Sequence, residues 1–265
     1  MPSYVIVGAS RGLGYEWLRQ LSKDSSNTVI GIVRSVDKVQ AQLDADSISN
    51  VHIFVGDMAD NASLEKAALE VSKVTQGVDY LIVNGAYLSQ KDASLNPSEF
   101  TGRAAELREE MINSLDVNVV GVIYSVNAFL PLVRKGTVKK ITVISTGMAD
   151  TEMVVQHDIP GALVYASVKA ATNMVVAKYA VELKGEGIVL LALSPGVVNT
   201  QEGMISEEEM KGLIVLIQKF QAVYPDFKGP ITPAESVVAQ KKVIEGITLE
   251  QTGSFLSHKG NKVWL

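Results

Sequence analysis

Residues 4–14 read Tyr4-Val5-Ile6-Val7-Gly8-Ala9-Ser10-Arg11-Gly12-Leu13-Gly14. An apolar run enters a turn carrying three glycines, and an amphipathic stretch at about 12–23 follows. A short, continuous apolar run suits a strand covered on both faces, and glycine lets the chain turn sharply into a helix. The same unit recurs downstream. Strand candidates at 4–8, 28–33, 51–55, 80–83, 140–144, 188–193 and 253–256 alternate with helical patterns at about 12–23, 36–46, 61–76, 103–133, 161–184, 206–221 and 233–246. Alternation of this kind implies right-handed crossovers and a parallel sheet with helices on both sides. The expected fold is α/β, a doubly wound parallel sheet of seven strands of the Rossmann type. No low-complexity linker or internal repeat divides the chain, so it reads as one domain, 1–265. The stretch at about 197–230 departs from the alternation and ends among Pro225, Gly229, Pro230 and Pro233. Its apolar helix-like portion at 210–220 suggests a cover over a site; the plainer alternative is a surface excursion.

Composition narrows the function classes. The 265 residues suffice for one large domain with a substantial core. Apolar residues make up 47% and charged residues 20%, as in an ordinary soluble globular chain. A net charge of −5 gives no electrostatic case for nucleic acid or an anionic membrane surface. Cysteine is absent, which excludes disulfides, thiolate chemistry and cysteine metal sites. His52, His157 and His258 are too scattered to make a metal site. The chain opens without a charged leader or cleavage site, and no uninterrupted apolar stretch approaches the roughly 18 residues of a membrane span. The expectation is a cytoplasmic protein acting on a small molecule, with no nucleic-acid or membrane partner.

The glycine loop is the first candidate site. Glycines let the backbone approach a pyrophosphate, and the helix start offers free N–H groups and a favourable dipole. Gly8, Ser10, Arg11, Gly12, Leu13 and Gly14 therefore form a candidate dinucleotide cradle. After the second strand, where an acidic residue would select a ribose 2′-hydroxyl, the chain has Arg34. Arg34 and Arg11 can bind a 2′-phosphate through charge-assisted bonds, so NADP(H) is the expected cofactor. Two solvated loop arginines are the plainer alternative. Asp57-Met58 follows the third strand; Asp57 is a candidate cap for the next helix, a job for which Asn61 and Ser63 compete, while the family resemblance set out below implies an adenine contact for it instead.

The second candidate site is Tyr165-Ala166-Ser167-Val168-Lys169, inside a long helical pattern. Side chains at i and i+4 share a helix face. A cation about 4 Å from a phenol, at an effective dielectric near 20, stabilises the phenolate by roughly 4 kcal/mol. That is enough to bring Tyr165 from its ordinary value of about 10 into the range useful for proton transfer. A plain helix-surface pair is the alternative for the isolated motif.

Together these motifs resemble the short-chain dehydrogenase/reductase family. The resemblance covers essentially the whole chain, with the motifs in the family order, and is nearest to fungal-looking carbonyl reductases with a Pro-rich end to the cover. It implies that Tyr165 is the general acid/base and that Lys169 lowers its pKa and binds the nicotinamide ribose. The strand 140–144 ends in Ser145-Thr146-Gly147. The family's substrate-binding Ser falls in register on Thr146, whose hydroxyl has the same donor and acceptor capacity; Ser145 is the adjacent fallback. Asn118, in Asp116-Val117-Asn118-Val119-Val120-Gly121, matches the Asn that holds a water chain to the Lys. A polar residue satisfied at an interface is its alternative. The family's Asn-Asn-Ala-Gly reads here Val83-Asn84-Gly85-Ala86, with the first Asn replaced and the last two residues transposed. Pro195-Gly196-Val197-Val198-Asn199-Thr200 matches the family's nicotinamide-contacting segment, with Pro195, Gly196, Val198 and Thr200 at the matching positions.

The activity implied is hydride transfer between a nicotinamide and a carbonyl or secondary alcohol of a hydrophobic small molecule. Tyr87, Leu88, Met204, Tyr224 and the apolar residues around His157 either line its pocket or simply pack. The family also implies a homodimer or homotetramer. From a different class, the altered Thr146 and Val83-Asn84-Gly85-Ala86 positions fit a non-catalytic NADP(H)-binding sensor or interaction protein. The intact Tyr165, Lys169 and Asn118 argue against it.

Overall fold

The computed structural model describes residues 1–89, 95–200 and 207–265. Its strands are β1 (Ser3–Val7), β2 (Thr28–Val33), β3 (Val51–Val55), β4 (Tyr80–Val83), β5 (Lys140–Ile144), β6 (Val189–Ser194) and β7 (Ser254–Ser257). They form one sheet in the order β3-β2-β1-β4-β5-β6-β7, with every pairing parallel. The helices are α1 (Gly12–Leu21), α2 (Val36–Ala45), α3 (Asn61–Val74), α4 (Ala104–Leu115), α5 (Gly121–Lys135), α6 (Thr151–Gln156), α7 (Leu163–Leu183), α8 (Glu207–Val223) and α9 (Pro233–Gly246).

The continuous apolar strand runs have a direct structural cause. Val5 and Val7 of β1 belong to one buried cluster, while Tyr4 and Ile6 belong to the other. Both faces of the sheet are therefore covered, and alternation between apolar and polar residues has no place. One layer brings Phe129 and Val176 against the sheet, the other Trp17, Leu18 and Val237. Each such side chain contributes about 1.5–3 kcal/mol by leaving water.

Strand order reverses between β1 and β4, which lie side by side. In open sheets of this kind the crevice beyond the carboxyl ends at the reversal is where ligands bind. Gly8 follows β1 and Asn84-Gly85 follow β4, so both candidate segments open onto that crevice.

Two expectations are refined. The helix anticipated at 103–133 is α4 and α5 joined by a π-helical turn, Asp116–Val120. Its extent, Ala104–Lys135, is long and apolar enough to cross a bilayer by length and composition, yet half of its apolar window is buried inside the fold, as for a core helix. Between β5 and α7 the sequence pattern gave no helix, whereas the structure has the short α6.

Candidate active site

The cradle is built by close approach of backbones. Gly8 has φ +83°, and a Cβ there would sit 2.5 Å from the Gly85 backbone. A Cβ on Gly14 would lie 2.1 Å from the Gly8 carbonyl oxygen, so this helix start tolerates no side chain. The Asn84 amide donates to that same oxygen at 3.0 Å, tying the turn after β4 to the turn after β1. The transposed Gly85-Ala86 also finds a reason: a Cβ at residue 85 would lie 2.5 Å from the Met58 sulfur. Met58, itself buried, fills the space that an alanine at 85 would need. Arg11 precedes α1 without any side-chain capping bond, which leaves the first-turn amides of the helix free of a side-chain cap from that residue. Leu13 is buried beneath the loop, and Ser10 is half-buried.

Arg11 and Arg34 are exposed at the rim, and among the described residues neither forms an ion pair. Asp57 does not cap α3. That task falls to Asp60, whose carboxylate accepts from the Ser63 amide at 3.3 Å, so Asn61 and Ser63 are not the cap either. Asp57 instead closes a local turn by accepting from the Ala59 amide at 3.0 Å. The sequence held the signal for Asp60, an Asp one residue before the helical pattern, but two neighbouring candidates obscured it.

Asn118 sits in the π turn and is fully buried. Its Oδ1 accepts from the Tyr87 amide at 2.9 Å, and its Nδ2 donates to the Tyr87 carbonyl at 2.8 Å and to Ser114 Oγ at 2.9 Å. Its own carbonyl accepts from Thr172 Oγ1 at 2.7 Å. The side chain is thus satisfied as a staple between the segment after β4 and the long helix.

At the end of β5 the two hydroxyls part company. Ser145 is buried and donates to Asn173 Oδ1 of α7 at 2.6 Å. Thr146 is half-buried and accepts from the Met148 amide at 3.3 Å. The alternation of side chains along an extended chain separates them, and of the two only Thr146 is not sealed inside the fold.

Tyr165 and Lys169 lie on α7, which begins after Ala162, a residue in the left-handed region at φ +58°. Asp158, in the same link, has φ +51°. Non-glycine residues in that region carry about 1–3 kcal/mol of strain and concentrate at functional sites. Lys169 is buried, and its ammonium donates to the Ile144 carbonyl at 2.5 Å. That anchors it to β5 two residues before Thr146. Burial pushes Lys169 down to about 8 and Tyr165 up to about 12. The expectation of a depressed phenol is not met: desolvation raises Tyr165.

Pro195-Gly196 follows β6. The Pro195 carbonyl accepts from Ser236 Oγ at 2.7 Å, and Val198 pairs with Ile231 in an isolated parallel bridge. A Cβ on Gly12 would contact the Thr200 side chain at 3.4 Å, so this segment reaches back to the glycine loop. The two cofactor-candidate segments thus meet across the crevice.

The neighbouring apolar region is a cluster of Met153, Ile159, Phe220 and Trp264. The ring of His157 is buried there, 5.5 Å edge-on from Phe220 and 5.4 Å stacked on Tyr224, and one ring nitrogen lies 2.8 Å from the Met153 carbonyl. Tyr224 therefore packs against His157, whereas Leu88 is exposed. Met204 lies outside the described residues, as does part of the 197–230 stretch. The sequence grouped Tyr224 with the residues around His157 as pocket lining or packing, but nothing in its pattern marked the part of Phe220.

Known proteins bear on this arrangement. The sequence profile of the short chain dehydrogenase family matches residues 3–211. The chain is 43% identical to the short-chain dehydrogenase/reductase AacuF of Aspergillus aculeatus, over 268 residues and 100% of both chains. It is 41% identical to the short chain dehydrogenase virK of Hypocrea virens, again over 100% of both. Among solved structures, the NADPH-bound carbonyl reductase from chicken fatty liver aligns with a TM-score of 0.74 at 23% identity, covering 98% of each chain. The carbonyl reductase Sniffer of D. melanogaster aligns at 0.75 and 22%, also covering 98% of each. These two share the fold; the full-length fungal relatives and the matched profile go further, and by them the chain belongs to the short-chain dehydrogenase/reductase family of oxidoreductases.

Proposed function

We propose that the chain is an NADP(H)-dependent reductase of a ketone or aldehyde on a hydrophobic small molecule, with Tyr165 as the proton donor. The observation that carries this reading is the convergence at the end of β5: half-buried Thr146 stands beside the point where Lys169 of α7 is anchored. The cradle fits a dinucleotide. Its glycines leave room where a Cβ would collide, and the α1 start offers amides to a pyrophosphate. Arg34 and Arg11, exposed at the rim, suit a 2′-phosphate. Asp57 and Met58 would border the adenine, with Asn84, Gly85 and Ala86 beneath the dinucleotide. Pro195, Gly196, Val198 and Thr200 would hold its nicotinamide end. When bound, the reduced cofactor supplies hydride to the carbonyl carbon.

Each remaining step falls to a side chain. Thr146 donates a hydrogen bond to the carbonyl oxygen and fixes it. Tyr165, held neutral by burial, is in the protonation state that donates to a developing alkoxide. Lys169 carries its charge below about pH 8 and supports the phenolate left behind. In the occupied site it would also hold the nicotinamide ribose. Asn118 fixes the segment after β4 and, as in the family, would order water toward Lys169. We further read residues 1–265 as one domain, with a cover at about 197–230 closing the apolar side.

The test is NADPH oxidation by the purified chain against diketones, quinones and aromatic aldehydes, with NADH in parallel. Turnover with a carbonyl is expected, with NADPH preferred and the preference reduced about tenfold or more in Arg34→Ala, the loss of one charge-assisted contact. Tight NADPH binding with no turnover on any carbonyl would point to a sensor. Equal affinity for NADH and NADPH would refute the arginine argument.

A further inference from the structure

The turn after β6 is braced from three sides, and one brace is a histidine outside every motif discussed so far. Ser236 holds the Pro195 carbonyl, and Ile231 pairs with Val198. On the third side stands His258, the first residue beyond β7. The β6–β7 register pairs Ser194 with Ser257, so Pro195-Gly196 and His258 leave the sheet edge side by side. A Cβ built on Gly196 would lie 2.8 Å from Cε1 and 2.9 Å from Nδ1 of His258. The imidazole therefore occupies the space that a side chain at 196 would take. Gly196 is bound to be glycine twice over, by its φ of +85° and by this ring.

His258 Nδ1 is buried and has no hydrogen-bond partner among the described residues. A buried unpaired nitrogen costs about 1–3 kcal/mol, so hydrogen bonding at Nδ1 is not what keeps the ring against Gly196. Burial, reinforced by the charge of Lys259, lowers the His258 pKa, so the ring packs in its neutral form. A flat, neutral ring against a Cα without substituents is a contact of shape.

We propose that His258 is a positioning residue for the nicotinamide-side turn, its ring setting how far Pro195-Gly196 reaches into the crevice. The inference rests on the dinucleotide reading above. Small displacements of a holding segment are costly, since misplacement by about 1 Å can cost roughly a hundredfold in a positioned reaction. The adenosine half of the cofactor, at Arg34 and the glycine loop, meets this segment at Thr200, four residues beyond the Gly196–His258 contact.

The experiment compares binding of NADPH and of 2′,5′-ADP, which carries only the adenosine half, to wild type, His258→Ala and His258→Phe. In the alanine variant NADPH affinity should fall about tenfold or more, while 2′,5′-ADP affinity stays within about twofold. The phenylalanine variant, which restores a flat ring without Nδ1, should recover NADPH affinity to within about threefold of wild type. Equal loss of both ligands in His258→Ala, or no loss of either, overturns the positioning role. Retained 2′,5′-ADP binding also shows that the variant is folded. Should wild type bind neither ligand, the dinucleotide reading itself fails and this inference with it.

Discussion

The cradle at residues 8–14 and 84–86 and the apolar side at residues 147–159 and 216–227 are held together by different means. In the cradle, backbone meets backbone. Gly8 packs on the Gly85 backbone and Gly14 against the Gly8 carbonyl where no Cβ fits, and Asn84 ties the two turns by hydrogen bonds from its side-chain amide to the Gly8 carbonyl and from its backbone N–H to the Val7 carbonyl. On the apolar side, rings meet rings. His157, Phe220, Tyr224 and Phe227 stack or meet edge-on at about 5.4–5.5 Å, and Lys219 links to the Asp158 carbonyl across the same seam. Backbone contacts leave no freedom to substitute, whereas ring packing can be rebuilt with other apolar residues of similar volume. Under the function proposed above, the first construction suits an invariant cofactor and the second a small-molecule substrate.

The contrast breaks most sharply at Gly14. Gly14→Ala forces a methyl group against the Gly8 carbonyl, and overpacking of this kind costs about 1–3 kcal/mol or more. Loss of measurable NADPH binding together with a melting temperature lower by several degrees is expected; unchanged binding by fluorescence titration would show that the helix start is not the cradle.

The junction of the two regions gives the next largest effect. Thr146→Ala should reduce turnover about a hundredfold, the size of one lost donor to a developing oxyanion, and Thr146→Ser should restore most of it. Ser145→Ala should instead lower stability by about 1–3 kcal/mol, because Asn173 loses its buried partner, with turnover within a few-fold of wild type. Reversal of the two outcomes in steady-state kinetics and thermal melts would move the third group to Ser145.

The smallest effect belongs to the apolar side. Phe220→Ala should raise the KM for a bulky carbonyl by a few-fold and leave NADPH affinity unchanged. An equal change in both constants would mean that the rings support the cradle as well, and the contrast would dissolve.

The same contrast explains what was legible in the sequence. The sheet and its glycine turns were readable because buried parallel strands demand unbroken apolar runs, and because only glycine serves at φ +83° against a neighbouring backbone. That Ser145 and Thr146 point apart was readable from the alternation of side chains along β5. The role of Met58 in favouring glycine at 85 was not, since it depends on a contact between residues 27 positions apart. The His157 packing and the His258 brace were hidden for the same reason: both are tertiary contacts with no periodic signal. The direction of the Tyr165 shift was not legible, because spacing reports a shared helix face with Lys169 but not burial, which raises the phenol.

Tyr165→Phe tests the central claim most directly. Removing one oxygen leaves the ring and its packing in place, so NADPH affinity should remain within a few-fold of wild type. Turnover should fall at least about a hundredfold, the scale of lost general acid–base catalysis. Turnover within a few-fold of wild type in that variant would contradict the assignment of Tyr165 as proton donor.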